Sequence, residues 1–441
     1  RHIAARSRLQ TKTQTGSEPA SNARPSPPDD LPKIMIRSFS RLLALGCCAL
    51  LLGATARPAS AQTAVRADTV YTMDGPPIVD GVVLVRDGQI ERVGAASAVE
   101  VPSGYAVREA TVVTPGIVDG HSVVGLAGIY NVDADQDQLE TSTPAQPALR
   151  AIDAYNAREE LVAWARSLGV TTLHTGHGPG APISGQTMVV KTSGNTVGEA
   201  LVDSVAMMAM TLGPSVERNF QSPGTRAKTV AMIREQLIKA QAYREQMNSA
   251  DGVAARDLSM EALAHVLDGE ITAMITAHRA RDIMSALRLA EEFGFRLALD
   301  GTAEAYMVLD EIQAAGVPVI IHPTMIRPGG DAANAAFTTA ATLHEAGIPF
   351  AFQSGYEGYV PKTRVPLFEA AIAVANGLPR EAALNALTLA PAQILGLGDQ
   401  VGSLEAGKDA DLVLYNGDPF EYTTQVCTVM VGGEVVSDSC R

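Results

Sequence analysis

Seven histidines follow residue 61, and five of them fall where an extended apolar run ends. His121 closes "TPGIVDGH", His174 and His177 close "GVTTLHTGH", His278 follows "ITAMITA", and His322 follows "VPVII". Imidazoles gathered at strand ends suit two chemistries. Neutral rings ligate a divalent cation, and a ring that changes charge near neutral pH carries protons. Lys191, after "GQTMVV", Glu304, in the run after "FRLALDG", and Ser354, after "IPFAFQ", are candidate proton carriers or catalytic groups. Asp300 and Gln353 also stand at strand ends. The stretch "QSGYEGYVPKTR" brings Tyr356, Glu357, Tyr359, Lys362 and Arg364 toward the same place, a loop rich in groups able to hold a substrate. His265 and His344 lie inside helical patterns and read as ordinary surface residues. "DADQD", residues 133–137, lacks the glycine and glutamate of a calcium loop and reads as a solvated acidic loop.

Such groups need a scaffold that brings distant strand ends together. Between residues 113 and 395, strand-like runs alternate with amphipathic ones such as "AREELVAWARSLG" and "ARDIMSALRLAEEFG". Several amphipathic runs stop at Gly, the usual helix C-cap. Strand–helix alternation over this length predicts a (β/α)8 TIM barrel, whose catalytic groups lie at the C-terminal ends of its strands. Seven strands are clear and "DSVAMMAMTL" is a weak eighth. An excursion over residues 214–262 carries a helix from Lys228 to Met247 and suits a lid or a contact between copies of the chain. Residues 62–112 and 396–441 read as short strands with Asp87-Gly88 and Gly432-Gly433 hairpins, and are expected to form one small split β-sandwich. No G-x-G-x-x-G and no G-x-S-x-G is present, which counts against a dinucleotide fold and an α/β-hydrolase.

The first 61 residues stand apart. Met35 opens a pattern of positive charge, a short apolar run from Leu42 to Ala54, and Ala59-Ser60-Ala61, which reads as a secretory signal peptide. Gln62 is then the expected mature N-terminus, with residues before Met35 an over-extended reading of the gene. The apolar run is short for a membrane span, so no stable insertion is expected after cleavage. Export, periplasmic or secreted, would allow Cys427 and Cys440 to pair. The remainder carries 25 Lys or Arg against 45 Asp or Glu, a net charge of −20 that repels phosphate backbones and makes nucleic acid a poor partner. A small-molecule substrate is expected.

The chain resembles the amidohydrolase superfamily, in particular exported proteins similar to imidazolonepropionase. The resemblance rests on "TPGIVDGH", "GVTTLHTG", "HRARDIMSALRLAEEFG", "AAGVPVIIHP" and the long "ALTLAPAQILGLGDQVGSLEAGKDADLVLYNGDPF". It implies a barrel with a split β-sandwich, and hydrolysis of C–N bonds in cyclic or peptide-like amides at a metal centre. The family pattern is a His-x-His pair on strand one, a bridging Lys or Glu, histidines on strands five and six, and an aspartate on strand eight. His121 and His278 match. Val123 stands at the second histidine, strand six offers Asp300, and strand eight offers Gln353-Ser354. The resemblance therefore implies a remodelled site: one divalent ion, zinc by preference, held by His121 and His278 with help from His174, His177 or His322. Lys191, a carboxylated lysine in such a scheme, or Glu304 would carry the proton. Two other readings stay open: a barrel that only binds a small molecule, and a metal-free enzyme of another class.

Overall fold

The computed structural model describes residues 62–130, 132–249, 255–356 and 363–441. The signal segment, Glu357, Tyr359 and Lys362 lie outside the described residues.

Four strands open the chain: β1 (Thr63–Val70), β2 (Ile78–Arg86), β3 (Gln89–Ala95) and β4 (Ala106–Pro115). The barrel region supplies β5 (Ile117–Ser122), β6 (Val170–Thr175), β7 (Ile183–Gln186), β8 (Met188–Lys191), β9 (Leu201–Asp203), β10 (Met207–Thr211), β11 (Thr272–Thr276), β12 (Leu297–Gly301), β13 (Val319–Ile321) and β14 (Phe350–Ala351). The chain closes with β15 (Leu412–Tyr415), β16 (Val426–Val431) and β17 (Glu434–Asp438).

Both ends of the chain share one seven-stranded sheet, in the order β17-β16-β15-β4-β1-β2-β3. β15 pairs antiparallel with β4, so a segment near residue 412 is stitched to one near residue 115. Where a two-layered sandwich is expected, the described residues form this single mixed sheet. Cys427 and Cys440 form a disulfide across its last hairpin.

The middle is a TIM-barrel-type arrangement of mixed α and β content. β10 to β14 run parallel in one sheet, β14-β13-β12-β11-β10-β7, and a second sheet has the order β5-β6-β8-β9. Side chains on β10 to β13 alternate between two environments, as a pleated strand covered on both faces requires. Met207, Ala209, Met274, Ala298 and Ile320 pack together on one face. Met208, Met210, Ala273, Ile275, Leu297, Leu299, Val319 and Ile321 join the larger core shared with the surrounding helices. The weak eighth strand of the sequence is β10. The run "GQTMVVKT" departs from the expected parallel unit. It divides at Thr187 into β7, antiparallel to β10, and β8, antiparallel to β6. Thr187 exchanges backbone hydrogen bonds with Met207 and Ala206, so one bent strand serves both sheets.

The two sheets also meet between β5 and the end of β14. Gly120 N donates to Phe352 O at 3.0 Å, and Gly355 N donates to His121 O at 3.1 Å. A Cβ at Gly120 would lie 2.7 Å from Phe352 O, so only glycine permits the approach. Among the described residues the long excursion carries the helices Pro214–Asn219 and Arg226–Met247 and the start of Leu258–Leu267. Among the described residues no helix is long and apolar enough to cross a membrane.

The disulfide closes a short loop at the edge hairpin, and loops of that length stabilise by about 2–3 kcal/mol in chain-entropy terms. Replacing both Cys427 and Cys440 by Ser is expected to lower the unfolding free energy by about that amount, read from urea denaturation under non-reducing conditions. Equal stability with and without the pair would show that the hairpin is held by its strands alone.

Candidate active site

The strand ends named by the sequence converge on a narrow cavity of about 60 Å³, lined among others by His121, Val123, Thr276, His278, Asp300, His322, Gln353 and Tyr356. β5 carries His121. β11 and β12 bring Thr276 and Asp300 opposite each other, in register. His278 lies two residues beyond β11 and rests against Gly301, where a Cβ would come within 2.6 Å of its ring. Gly301 and the next residue, Thr302, have φ of 81° and 51°. A threonine in this region is uncommon, and such backbone is found where a site holds it in place.

Asp300 organises the cavity. It is 2% exposed. Its Oδ2 accepts from Thr276 Oγ1 at 2.6 Å, and its Oδ1 accepts from Gln353 Nε2 at 2.8 Å. The same Oδ1 lies 3.3 Å from His121 Nδ1. Burial alone would raise the Asp300 pKa, but the His121 ring, Thr276 and Gln353 outweigh it and hold the carboxyl below its usual range. Burial likewise opposes charge on His121. The Asp300 carboxylate, with smaller help from Asp119 and the His177 carbonyl, more than offsets this and raises the ring above its ordinary value. His121 Nε2 and His278 Nδ1 are buried without a hydrogen-bond partner. Burial lowers the His278 pKa despite Asp300 nearby.

A second carboxylate, Asp119, ties β5 to the residues after β14. Ser354 N donates to its Oδ1 at 2.9 Å, Ser354 Oγ donates to Oδ2, and His121 N reaches Oδ1 at 3.4 Å. Burial pushes the Asp119 carboxyl up to about 6, against these hydrogen bonds.

The remaining sequence candidates are placed differently. His174 has Nδ1 on Gly120 O at 2.6 Å and Nε2 on Thr187 Oγ1 at 2.7 Å. His322 has Nδ1 on Pro323 O at 2.8 Å and Nε2 on Thr339 Oγ1 at 3.1 Å. With both nitrogens engaged, neither ring is free to ligate. Burial lowers them to about 3 and about 4. His177 is buried, is lowered by burial to about 4, and is not among the residues lining the cavity. Lys191 is not among the residues lining the cavity. Its ammonium donates to Asp409 at 2.9 Å and Asp411 at 2.7 Å, at the seam with the seven-stranded sheet. Burial works against the ammonium, but the two carboxylates outweigh it and raise its pKa. Glu304 is not among the residues lining the cavity either. It caps the helix Ala280–Phe293 by accepting from Ala280 N at 2.8 Å, and it also accepts from Arg279 and Asn334 at 2.7 Å. Ser354 is held by Asp119. Tyr356 does line the cavity, and its hydroxyl accepts from Gln138 Nε2 at 3.2 Å.

These positions test whether a metal fits. Zinc takes three protein ligands and a water in a catalytic site. Both Asp300 oxygens already accept hydrogen bonds, His174 and His322 are engaged, and Val123 is an apolar wall. What is left in the cavity is His121 Nε2 and His278 Nδ1; both ring nitrogens of His177 are also unpartnered, but that residue does not line the cavity. Among the described residues no three His, Cys, Asp or Glu are grouped to hold a metal ion. The donor set does not fit the expected mononuclear centre. Thr276 and Asp119 are the residues the sequence reading left out of the site, while Asp300 and Gln353 were placed at strand ends without an assigned role. The signal for Asp300 and Gln353 was their position at strand ends.

Comparison with known proteins agrees with this fold. A profile of the amidohydrolase family matches residues 246–437. The structure of an amidohydrolase from Thermotoga maritima MSB8 superposes with a TM-score of 0.80 at 31% identity, covering 85% of this chain and 100% of that one. The chain belongs to the amidohydrolase family, a family of hydrolases. The amidohydrolase tasK of Hapsidospora irregularis is 27% identical over 402 residues, 81% of this chain and 40% of that protein. An imidazolonepropionase of Thermoplasma acidophilum is 30% identical over 129 residues, 28% of this chain and 30% of that protein. The chain thus spans well under half the length of these curated relatives in the matched regions.

Two outcomes follow from the pairings. Lys191→Met leaves the buried Asp411 without its cation and is expected to destabilise by about 3–5 kcal/mol, read from denaturant unfolding. A residue in the catalytic mouth would instead change turnover with little effect on stability. Asp119 has a folded pKa above its unfolded one, so its contribution is most favourable below about pH 4 and is lost as pH rises to about 6. Asp119→Asn removes that loss. Its stability relative to the parent is expected to rise by about 3 kcal/mol between pH 4 and pH 7, and a pH-independent difference would contradict the buried, neutral-leaning carboxyl.

Proposed function

We propose that this chain hydrolyses a C–N bond in a small cyclic or peptide-like amide. The observation that carries the reading is one buried cavity into which two unpartnered imidazole nitrogens, His121 Nε2 and His278 Nδ1, both open. The family membership and relatives named amidohydrolase and imidazolonepropionase support the reaction class. The two barrel sheets are taken as parts of one (β/α)8 barrel over residues 113–395, supported by the Gly120–Phe352 bond and the Ser122–Gly355 bridge. Residues 62–112 and 396–441 are taken as the accompanying β-domain. The reading includes export through the N-terminal segment, which the Cys427–Cys440 disulfide supports. Self-association over the Arg226–Met247 helix belongs to it too, supported by the exposed Ile238 and Met247.

In this cavity Tyr356 and Gln138 would orient the substrate. His121 and His278 would face its carbonyl, and Val123 and Ile326 would exclude water from its other side. Members of the family generally use a divalent metal ion. The engaged donors of the cavity give that expectation no support here. A second reading, a binding barrel without turnover, draws on the same feature: Val123 and Ser354 stand where the family pattern has a ligand and a proton carrier.

Residues 62–441 assayed against hydantoins, lactams and acyl dipeptides should hydrolyse at least one class. His121→Asn and His278→Asn should each reduce kcat by about 10²–10⁴-fold, measured on protein shown by circular dichroism to be folded. Saturable binding of these compounds without product would favour the binding barrel.

A further inference from the structure

We infer that the cavity is built around a hydrogen-bonded Asp300–His121 couple, with His121 Nε2 as its base, in the place where the family pattern puts metal ligands. The inference deepens the hydrolase reading and rests on it for the identity of the reaction.

Four features carry it. Asp300 is fixed from three sides, by Thr276, Gln353 and His121, with both of its oxygens engaged in hydrogen bonds. A carboxylate beside Nδ1 selects the tautomer with the proton on Nδ1, which puts the lone pair on Nε2. Nε2 is the ring atom left without a partner. The residue two places on, Val123, turns an apolar side chain to the same cavity. The 3.3 Å between Nδ1 and Oδ1 is long, as such contacts often are before substrate closes the site. Gln353 has a defined part here. It stands at strand eight beside the place of the family aspartate, and its amide also donates to Ile321 O at 2.8 Å. It therefore pins Asp300 to the barrel wall and orients the couple without titrating.

The step balances with water as the second reactant. A water proton passes to His121 Nε2 while the water oxygen bonds to the amide carbon. The C–N bond then breaks with its electron pair on nitrogen, and the proton on Nε2 passes to that nitrogen. His121 is the catalytic residue, and Asp300 and Gln353 are positioning residues.

The test uses residues 62–441 with histidine nitrogens labelled, His121→Asn serving to assign the His121 signals. At a pH where the ring is neutral, NMR should show the proton on Nδ1 in the parent. In Asp300→Asn and Gln353→Leu that preference should weaken or reverse. The same protein, dialysed against zinc and then desalted, should retain well under one equivalent of metal. Hydrolysis of any substrate found should withstand a chelator, and Asp300→Asn should lower kcat by about 10²–10⁴-fold with KM little changed. A neutral His121 with its proton on Nε2, or one equivalent of zinc lost in His121→Asn, overturns the inference even if hydrolysis is found. Absence of hydrolysis with the tautomer and metal results as expected removes the hydrolase reading and the base role, and leaves the couple as a ligand-binding group.

Discussion

A carboxylate shut away from water must find inside the protein everything that water gave it. Asp300 does so at the centre of the barrel mouth, and most of the site follows from that requirement. Thr276 is there to donate to one oxygen, Gln353 to donate to the other, and His121 to turn its Nδ1 toward it. Each comes from a different strand end, so the carboxylate also draws β5, β11, β12 and the residues after β14 toward one point. Removing a partner would leave buried charge uncompensated, a far larger penalty than the pair's net contribution.

The same logic explains the second carboxylate and its different state. Asp119 has a neutral serine as its main partner, where Asp300 has a histidine. Burial therefore prevails at Asp119 and raises its pKa, while at Asp300 the neighbouring ring prevails and lowers it. The first ties the seam where the two barrel sheets meet. The second defines the cavity. Ser354 joins the seam, and Gln353 beside it joins the Asp300 network.

Much of this was legible in the sequence, because strand ends are marked locally. Apolar runs closing on His121, His278, Asp300 and Gln353 located the mouth before any coordinates, and alternation of apolar residues located the strands. What was hidden was partner choice, which depends on residues far along the chain. Lys191 looked like a catalytic lysine because its partners, Asp409 and Asp411, lie 218 and 220 positions away. Glu304 looked like a base because its cap on Ala280 is a tertiary contact. His174 and His322 looked like ligands because nothing local announces that Thr187 and Thr339 occupy their second nitrogens. The bent strand at Thr187 was equally hidden, since the run reads as one continuous strand until two sheets compete for it.

The central claim is that His121 turns its Nδ1 to Asp300 and keeps Nε2 for substrate, in a cavity without a metal's ligand set. The most direct measurement is an anomalous diffraction map at the zinc edge, from crystals of residues 62–441 grown with zinc present. The account predicts no anomalous peak in the cavity and a retained His121–Asp300 contact. A peak about 2.0–2.1 Å from His121 and His278 nitrogens, with Asp300 turned away from His121 toward it, would contradict the account.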